Sequence, residues 1–166
     1  MAWVAVLMGS ESDWPTMQAC TEVLSGLDIG FEVRVTSAHR TPDQTAAYVA
    51  DAVERDCGIF VCAAGMAAHL AGAVAAQTVR PVIGVPIDSG PLQGADALLS
   101  TVQMPGGIPV ATVAVGKAGA RNAAYLAAQI LAVADADLAT ALAADREAGR
   151  ERVNAQNASV QRDLGR

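Results

Sequence analysis

Five short apolar runs, each followed by a loop of small or polar residues and then by a helix-like segment, constrain this chain more than any other feature. Trp3–Met8, Phe31–Val35, Gly58–Cys62, Pro81–Val85 and Val110–Val115 read as strands. Trp14–Leu27, Pro42–Arg55, Ala67–Gln77, Ala95–Val102 and Ala120–Val133 read as the helices between and after them, and Asp137–Asn154 as a final, more charged helix. In the first helix Met17, Cys20, Val23, Leu24 and Leu27 fall on one face at helical spacing. Strands that alternate with helices imply βαβ units and a parallel sheet. Near-continuous apolar strands imply that helices cover both faces. The expected fold is therefore α/β, a three-layer α/β/α sandwich around a parallel sheet. Residues 1–134 form its body. Residues 135–166 form a C-terminal helix and tail, either part of the same domain or reaching a neighbouring subunit, with the last dozen residues frayed or held by a partner.

Charge is scarce where it matters. Of 166 residues 36 are Ala and 15 are Gly, and the net charge is −6. The 78 residues from Cys57 to Ala134 carry only Arg80, Asp88, Asp96, Lys117 and Arg121 as formal charges. So few charges imply that much of this segment is core or lies against other copies of the chain, and a homo-oligomer is expected. A single Lys and an acidic balance argue against nucleic acid and against an anionic membrane surface as partners. The uncharged run 57–79 is long enough to span a bilayer, but His69, Gln77 and three glycines interrupt it. Met1-Ala2-Trp3 lacks the basic region of a secretory signal. Cys20, Cys57 and Cys62 show neither metal-ligand nor redox spacing and suit a reducing, cytoplasmic setting.

In a sheet of this kind ligands sit beyond the carboxyl ends of the strands, so the loops after each strand hold the candidate chemistry. Gly9–Asp13 offers glycine for close backbone approach, Ser10 and Ser12 for phosphate oxygens, and Asp13 for ribose hydroxyls, at a helix N-terminus. Plain capping by Ser12 or Asp13 explains part of it equally well. Thr36–Pro42 carries His39, suited to proton transfer near neutral pH, beside Arg40, a forked donor for phosphate or carboxylate, with Ser37 adding a hydroxyl. Thr41 capping and Pro42 in the first turn explain the end of that loop as a helix start. Ala63–Leu70 is small-residue backbone ending in His69. The Pro- and Gly-containing segments 84–89 and 100–109 read as structural connections. No serine-nucleophile elbow, phosphate-binding Gly-Lys-Ser/Thr loop or paired metal carboxylates occur, so no metal and no cofactor are expected.

The strings MGSESDW (8–14), SAHRTP (37–42), AGMAAHLAG (64–72), PVIGVP (81–86), GADALLSTVQMPGGIPVAT (94–112) and NAAYLAAQIL (122–131) resemble, in this order, the PurE family of purine biosynthesis. The resemblance implies a flavodoxin-like sandwich, assembled as an octamer. It implies N5-carboxyaminoimidazole ribonucleotide mutase chemistry, with His39 as general acid/base. Ser10, Asp13 and Arg40 would bind the phosphorylated ribonucleotide, and Ser12, Ser37, Ala38, Gly65, Ala67, Ala68, His69 and Leu70 would complete the pocket. Two positions depart from the family pattern: Met66 stands where it has Gly, and Ala71 where it has Pro.

Such a mutase moves a carboxylate from an exocyclic nitrogen to ring carbon C4, and one His of near-neutral pKa can serve both proton transfers. Direct carboxylation of aminoimidazole ribonucleotide by CO2 is the alternative within the family. Its members tend to carry Lys after the His, whereas this chain has Arg40. A non-catalytic flavin- or nucleotide-binding domain is the alternative outside enzymology, and it gives His39 no role.

Overall fold

A computed structural model describes residues 2–165. The first strand, β1 (Trp3–Met8), leads through a 3-10 turn at Glu11–Asp13 into α1 (Trp14–Gly26). Next come β2 (Phe31–Val35), α2 (Pro42–Glu54), β3 (Cys57–Gly65), α3 (Leu70–Ala75), β4 (Val82–Ile87), α4 (Ala95–Val102), β5 (Ala111–Thr112), α5 (Lys117–Ala132) and α6 (Ala136–Asp163). Pro15 and Pro42 each occupy a first helical turn, where a missing N–H costs nothing. The strands form one five-stranded sheet in the order β2-β1-β3-β4-β5, with every pairing parallel. This is the order of an α/β, flavodoxin-like sheet, the fold that the family resemblance implies.

Both faces of the sheet are covered. Ala5 and Leu7 of β1 lie beside Phe60 and Cys62 of β3, and this face packs against Val49 and Ala52 of α2 and Leu70, Ala71 and Val74 of α3. The alternate residues Val4, Val6, Ile59, Val61 and Ile83 point the other way and are equally buried. The buried stripes of α1 (Met17, Cys20, Leu24) and of α5 (Ala120, Ala123, Ala124, Ala127) remain for that side. Burial of each large side chain, such as Phe60 or Leu7, contributes about 1.5–3 kcal/mol. The three cysteines are free and buried. Burial pushes the Cys20 thiol up to about 12 and raises Cys57 and Cys62 as well, so all three stay protonated and inert.

Several boundaries differ from the sequence expectation. β3 runs three residues further, because Ala64 and Gly65 still pair with Pro86 and Ile87 of β4. Helix α3 begins at Leu70 rather than Ala67. The three residues before His69 are spent on tight turns, Ala68 N–H to Met66 O and His69 N–H to Ala67 O. β5 shrinks to the two residues that pair with Ile83 and Gly84. The final helix is longer than expected: α6 continues to Asp163, capped by Asp135, whose side chain accepts the Leu138 N–H at 3.0 Å. Its Ala, Arg, Glu and Gln residues are good helix formers, yet none of its residues is buried. The chain divides into two compact units, one ending at Ala128 and one beginning at Gln129.

At Gly84 sheet and helix approach closely. A Cβ there would overlap the Thr101 methyl of α4 and stand 2.9 Å from Val110 Cγ1. Gly84→Ala is expected to cost about 1–3 kcal/mol through overpacking. Gly26→Ala, with no neighbour within 4 Å of the new Cβ, is expected to be neutral or to stabilise by about 0.4–1 kcal/mol. Thermal unfolding of the two variants side by side checks the contrast.

Candidate active site

β1 lies between β2 and β3, so the loops that follow these three strands meet at one edge of the sheet. Together they enclose a cavity of about 600 Å³. It is lined by Gly9, Ser10, Ser12 and Asp13 from the first loop, by Ser37, Ala38, His39 and Arg40 from the second, and by Ala64, Gly65, Met66, Ala67, His69 and Leu70 from the third. Ser89, from the loop after β4, completes the lining.

Each loop is locked by its own hydrogen bonds. In the first, Ser10 caps the 3-10 turn, while Asp13, at the N-cap position of α1, makes no side-chain cap bond to that helix. The Ser10 Oγ accepts the Ser12 N–H at 3.3 Å and the Ser12 hydroxyl at 2.9 Å. The Asp13 carboxylate accepts the Ser10 N–H at 3.2 Å, which closes a reciprocal capping box. Asp13 is buried, and desolvation holds its carboxyl above the usual carboxylate range despite the Ser10, Ser12 and Gly9 donors around it.

In the second loop the Thr41 hydroxyl does not cap α2 as expected. It accepts the Ser37 N–H at 3.0 Å, while Ser37 Oγ accepts the Arg40 N–H at 3.1 Å. Thr36 Oγ and Thr45 Oγ, 2.7 Å apart, fasten the loop to α2. The backbone of His39 and Arg40 is thus held by a short polar network, while both side chains stay exposed at the cavity. Among the described residues Arg40 enters no ion pair, so its guanidinium can receive an anion.

The third loop brings His69 against His39. The two rings stack with centroids 5.8 Å apart and planes inclined at 21°. Met66 has φ +56°, a left-handed conformation that glycine adopts freely and that costs a larger residue on the order of 1–3 kcal/mol. Glycine at this position in the family pattern has this physical reason.

All but one of the site residues expected from the sequence border the cavity. Ala68 does not. It is buried, and its N–H is directed at Ser100 Oγ, 3.0 Å away on α4. Ala64 and Ser89 line the cavity without having been singled out by the sequence, and Gly9 and Met66 lie in loops that were. Ala64 is one of many small residues in the chain and carries little signal. The 84–89 segment read as a structural connection, yet Ser89 comes so close to Gly65 that a Cβ on Gly65 would overlap its Oγ.

Because the folded protein raises the Asp13 pKa, it holds a proton that the unfolded chain has already released. Stability therefore falls as pH rises from the ordinary carboxylate value of 3.8 through the raised one. Asp13→Asn is expected to raise the melting temperature at pH 7, and the gain is expected to vanish below pH 3.8, where the aspartic acid is protonated in both states. Melting curves of both proteins from pH 3 to pH 8 check the sign.

The chain matches the family model described as AIR carboxylase over residues 3–152. It is 52% identical over 150 residues to the N5-carboxyaminoimidazole ribonucleotide mutase of Bacillus subtilis, covering 90% of this chain and 93% of that one. The same-named proteins of Escherichia coli and Mycobacterium tuberculosis are 53% identical over 137 residues (82% and 81% covered) and 48% identical over 163 residues (98% and 92% covered). The crystal structure of Treponema denticola PurE superposes with a TM-score of 0.87 at 27% identity, covering 96% of this chain and 98% of that one. With a family model spanning most of its length and relatives at about half identity, the chain belongs to the AIR carboxylase (PurE) family.

Proposed function

We propose that this protein is an N5-carboxyaminoimidazole ribonucleotide mutase of purine biosynthesis, an isomerase in which His39 is the general acid/base. The observation that carries the reading is the convergence of His39, Arg40, His69 and the Ser10–Asp13 loop on one cavity, in a chain about half identical to mutases of that name. Arg40 and the Ser10 and Ser12 hydroxyls suit the substrate phosphate. Asp13 and Ser37 suit the ribose, and the Ala38, Gly65, Ala67 and Leu70 surfaces give the flat base an apolar wall.

The chemistry needs two proton transfers, one to nitrogen and one from C4. His39 gives its proton to the carbamate nitrogen; the C–N bond breaks, its electrons stay on nitrogen, and CO2 is released. The enamine-like C4 then attacks CO2 and forms the new C–C bond. His39 removes the C4 proton, which restores both the aromatic ring and the acid. A cavity walled by Gly and Ala backbone keeps CO2 close meanwhile.

The purified protein supplied with N5-carboxyaminoimidazole ribonucleotide is expected to yield the C4-carboxylated isomer without ATP. Absence of product overturns the reading, and faster product formation from aminoimidazole ribonucleotide and CO2 replaces it with direct carboxylation. His39→Asn is expected to lower turnover by at least ~10²-fold, with the melting temperature and analogue binding near those of the unaltered protein.

The assembly expected is a homo-octamer, resident in the cytoplasm. Among the described residues no helix is long and apolar enough to cross a membrane. Supporting association are the five charges in residues 57–134, the exposed Val79, Leu92, Leu99 and Val102, and a 28-residue α6 with no buried residue. Light scattering is expected to give about eight times the 16.9 kDa of one chain; a mass near 16.9 kDa refutes the assembly.

A further inference from the structure

The segment between β3 and α3 is held weakly by its own bonds. Met66 sits at φ +56°, and the turns over 66–69 close through Ala68 N–H to Met66 O at 2.9 Å and His69 N–H to Ala67 O at 2.8 Å. Turns of this kind each span three residues and leave the segment tied only to itself. The segment ends at His69, whose ring stacks on that of His39 with planes inclined at 21°, and an anchor outside the loop adds to its own turns.

That anchor is a hydroxyl on a different helix. Ser100 Oγ, on α4, accepts the Ala68 N–H at 3.0 Å and lies 3.3 Å from Met66 O. Its nearest acceptor is Asp96 O, 2.7 Å away, one turn back along α4, with Ala97 O at 3.3 Å. That bond fixes the rotamer and aims a lone pair at the loop. Ser100 is 34 residues from Met66 in sequence and does not line the cavity. α4 is itself seated against the sheet at Thr101, beside Gly84. Just beyond it Met104 rests on Gly72 of α3, where a Cβ would stand 3.2 Å from its Sδ. The C-terminal end of α4 thus supports both the loop that carries His69 and the helix that His69 opens.

We infer that Ser100 is a positioning residue of the active site, holding the 66–69 turn so that His69 stays stacked on His39. The inference rests on the mutase reading of the cavity. Ser100 touches neither substrate nor the reacting atoms; it acts through the Ala68 amide. Among the described residues its hydrogen-bond partners are Ala68, Met66, Asp96 and Ala97, none of them in the loops that carry Ser10 and Arg40, so its loss should reduce the chemical step more than phosphate binding.

Steady-state turnover of the carbamate substrate tests this with Ser100→Ala and Ser100→Thr. Ser100→Ala is expected to lower kcat about 10- to 100-fold, the scale of a misplacement near 1 Å, with KM changed less than about threefold. Ser100→Thr keeps the hydroxyl, can make the same bond back along the helix, and is expected to restore kcat to within about threefold of the unaltered protein. Ser is exposed here and Ala favours helix, so the melting temperature of Ser100→Ala should hold, which separates positioning from folding. An unchanged kcat in Ser100→Ala overturns the inference. So does an equal loss in the Ala and Thr variants, or a loss that appears only in KM. Turnover absent from the unaltered protein refutes the mutase reading instead, so the two failures are distinguishable.

Discussion

Everything functional in this molecule depends on β1 being hydrogen-bonded on both sides, to β2 and to β3, with all three strands parallel. From β1 the chain moves outward to β2, then crosses back over β1 to reach β3. The loops leaving β1 and β3 consequently part in opposite directions, and a crevice opens at the carboxyl edge. The side-chain register of β1 with β3, Leu7 beside Cys62 and Met8 beside Ala63, aligns the ends of the two strands. Gly9 N–H bonds Ala63 O at 3.1 Å, so the ladder continues one step into the loops themselves. Ser10 and Gly65 start from neighbouring points for that reason.

Around this crevice the loops spend stability on geometry. Asp13 is buried and kept protonated to higher pH than an exposed aspartate. Met66 is held in a backbone conformation unfavourable for its side chain. Arg40 is left without an acidic neighbour among the described residues. The strands beneath offset these costs through Val4, Val6, Phe60, Val61 and Ile83, all fully buried. Rigid apolar layers below and polar, strained loops above are the division of labour expected where function opposes local stability.

What could be read in the sequence follows the same division. β1, β2 and α4 have the bounds that their apolar patterns predict, because a buried strand or amphipathic helix announces itself by period. His39, Arg40, Ser10 and Asp13 stood out because their chemistry is visible one residue at a time. The misplacements came where geometry depends on distant partners. Ala68 looked like a pocket residue until the Ser100 hydroxyl claimed its amide. Thr41 looked like a helix cap, but Ser37 N–H reaches its hydroxyl first. Ser89 belongs to the cavity only because β4 places its loop beside Gly65. No periodicity encodes such contacts across elements. The long α6 was underestimated because helix formation there owes nothing to an apolar face.

The burial of all three thiols has an outcome for the chemistry of damage. Sulfur in this chain reacts with oxidants only where it is exposed. Cys20, Cys57 and Cys62 are sealed in the core as protonated thiols, which removes the usual first target. Met66 is 56% exposed, at the rim of the cavity and against Gly90. Peroxide therefore meets a thioether at the rim of the candidate site before it meets any thiol. Sulfoxide formation there would add a polar, chiral oxygen to a side chain already on a strained backbone, so that oxidative ageing would alter the mouth of the active site while the core remained intact.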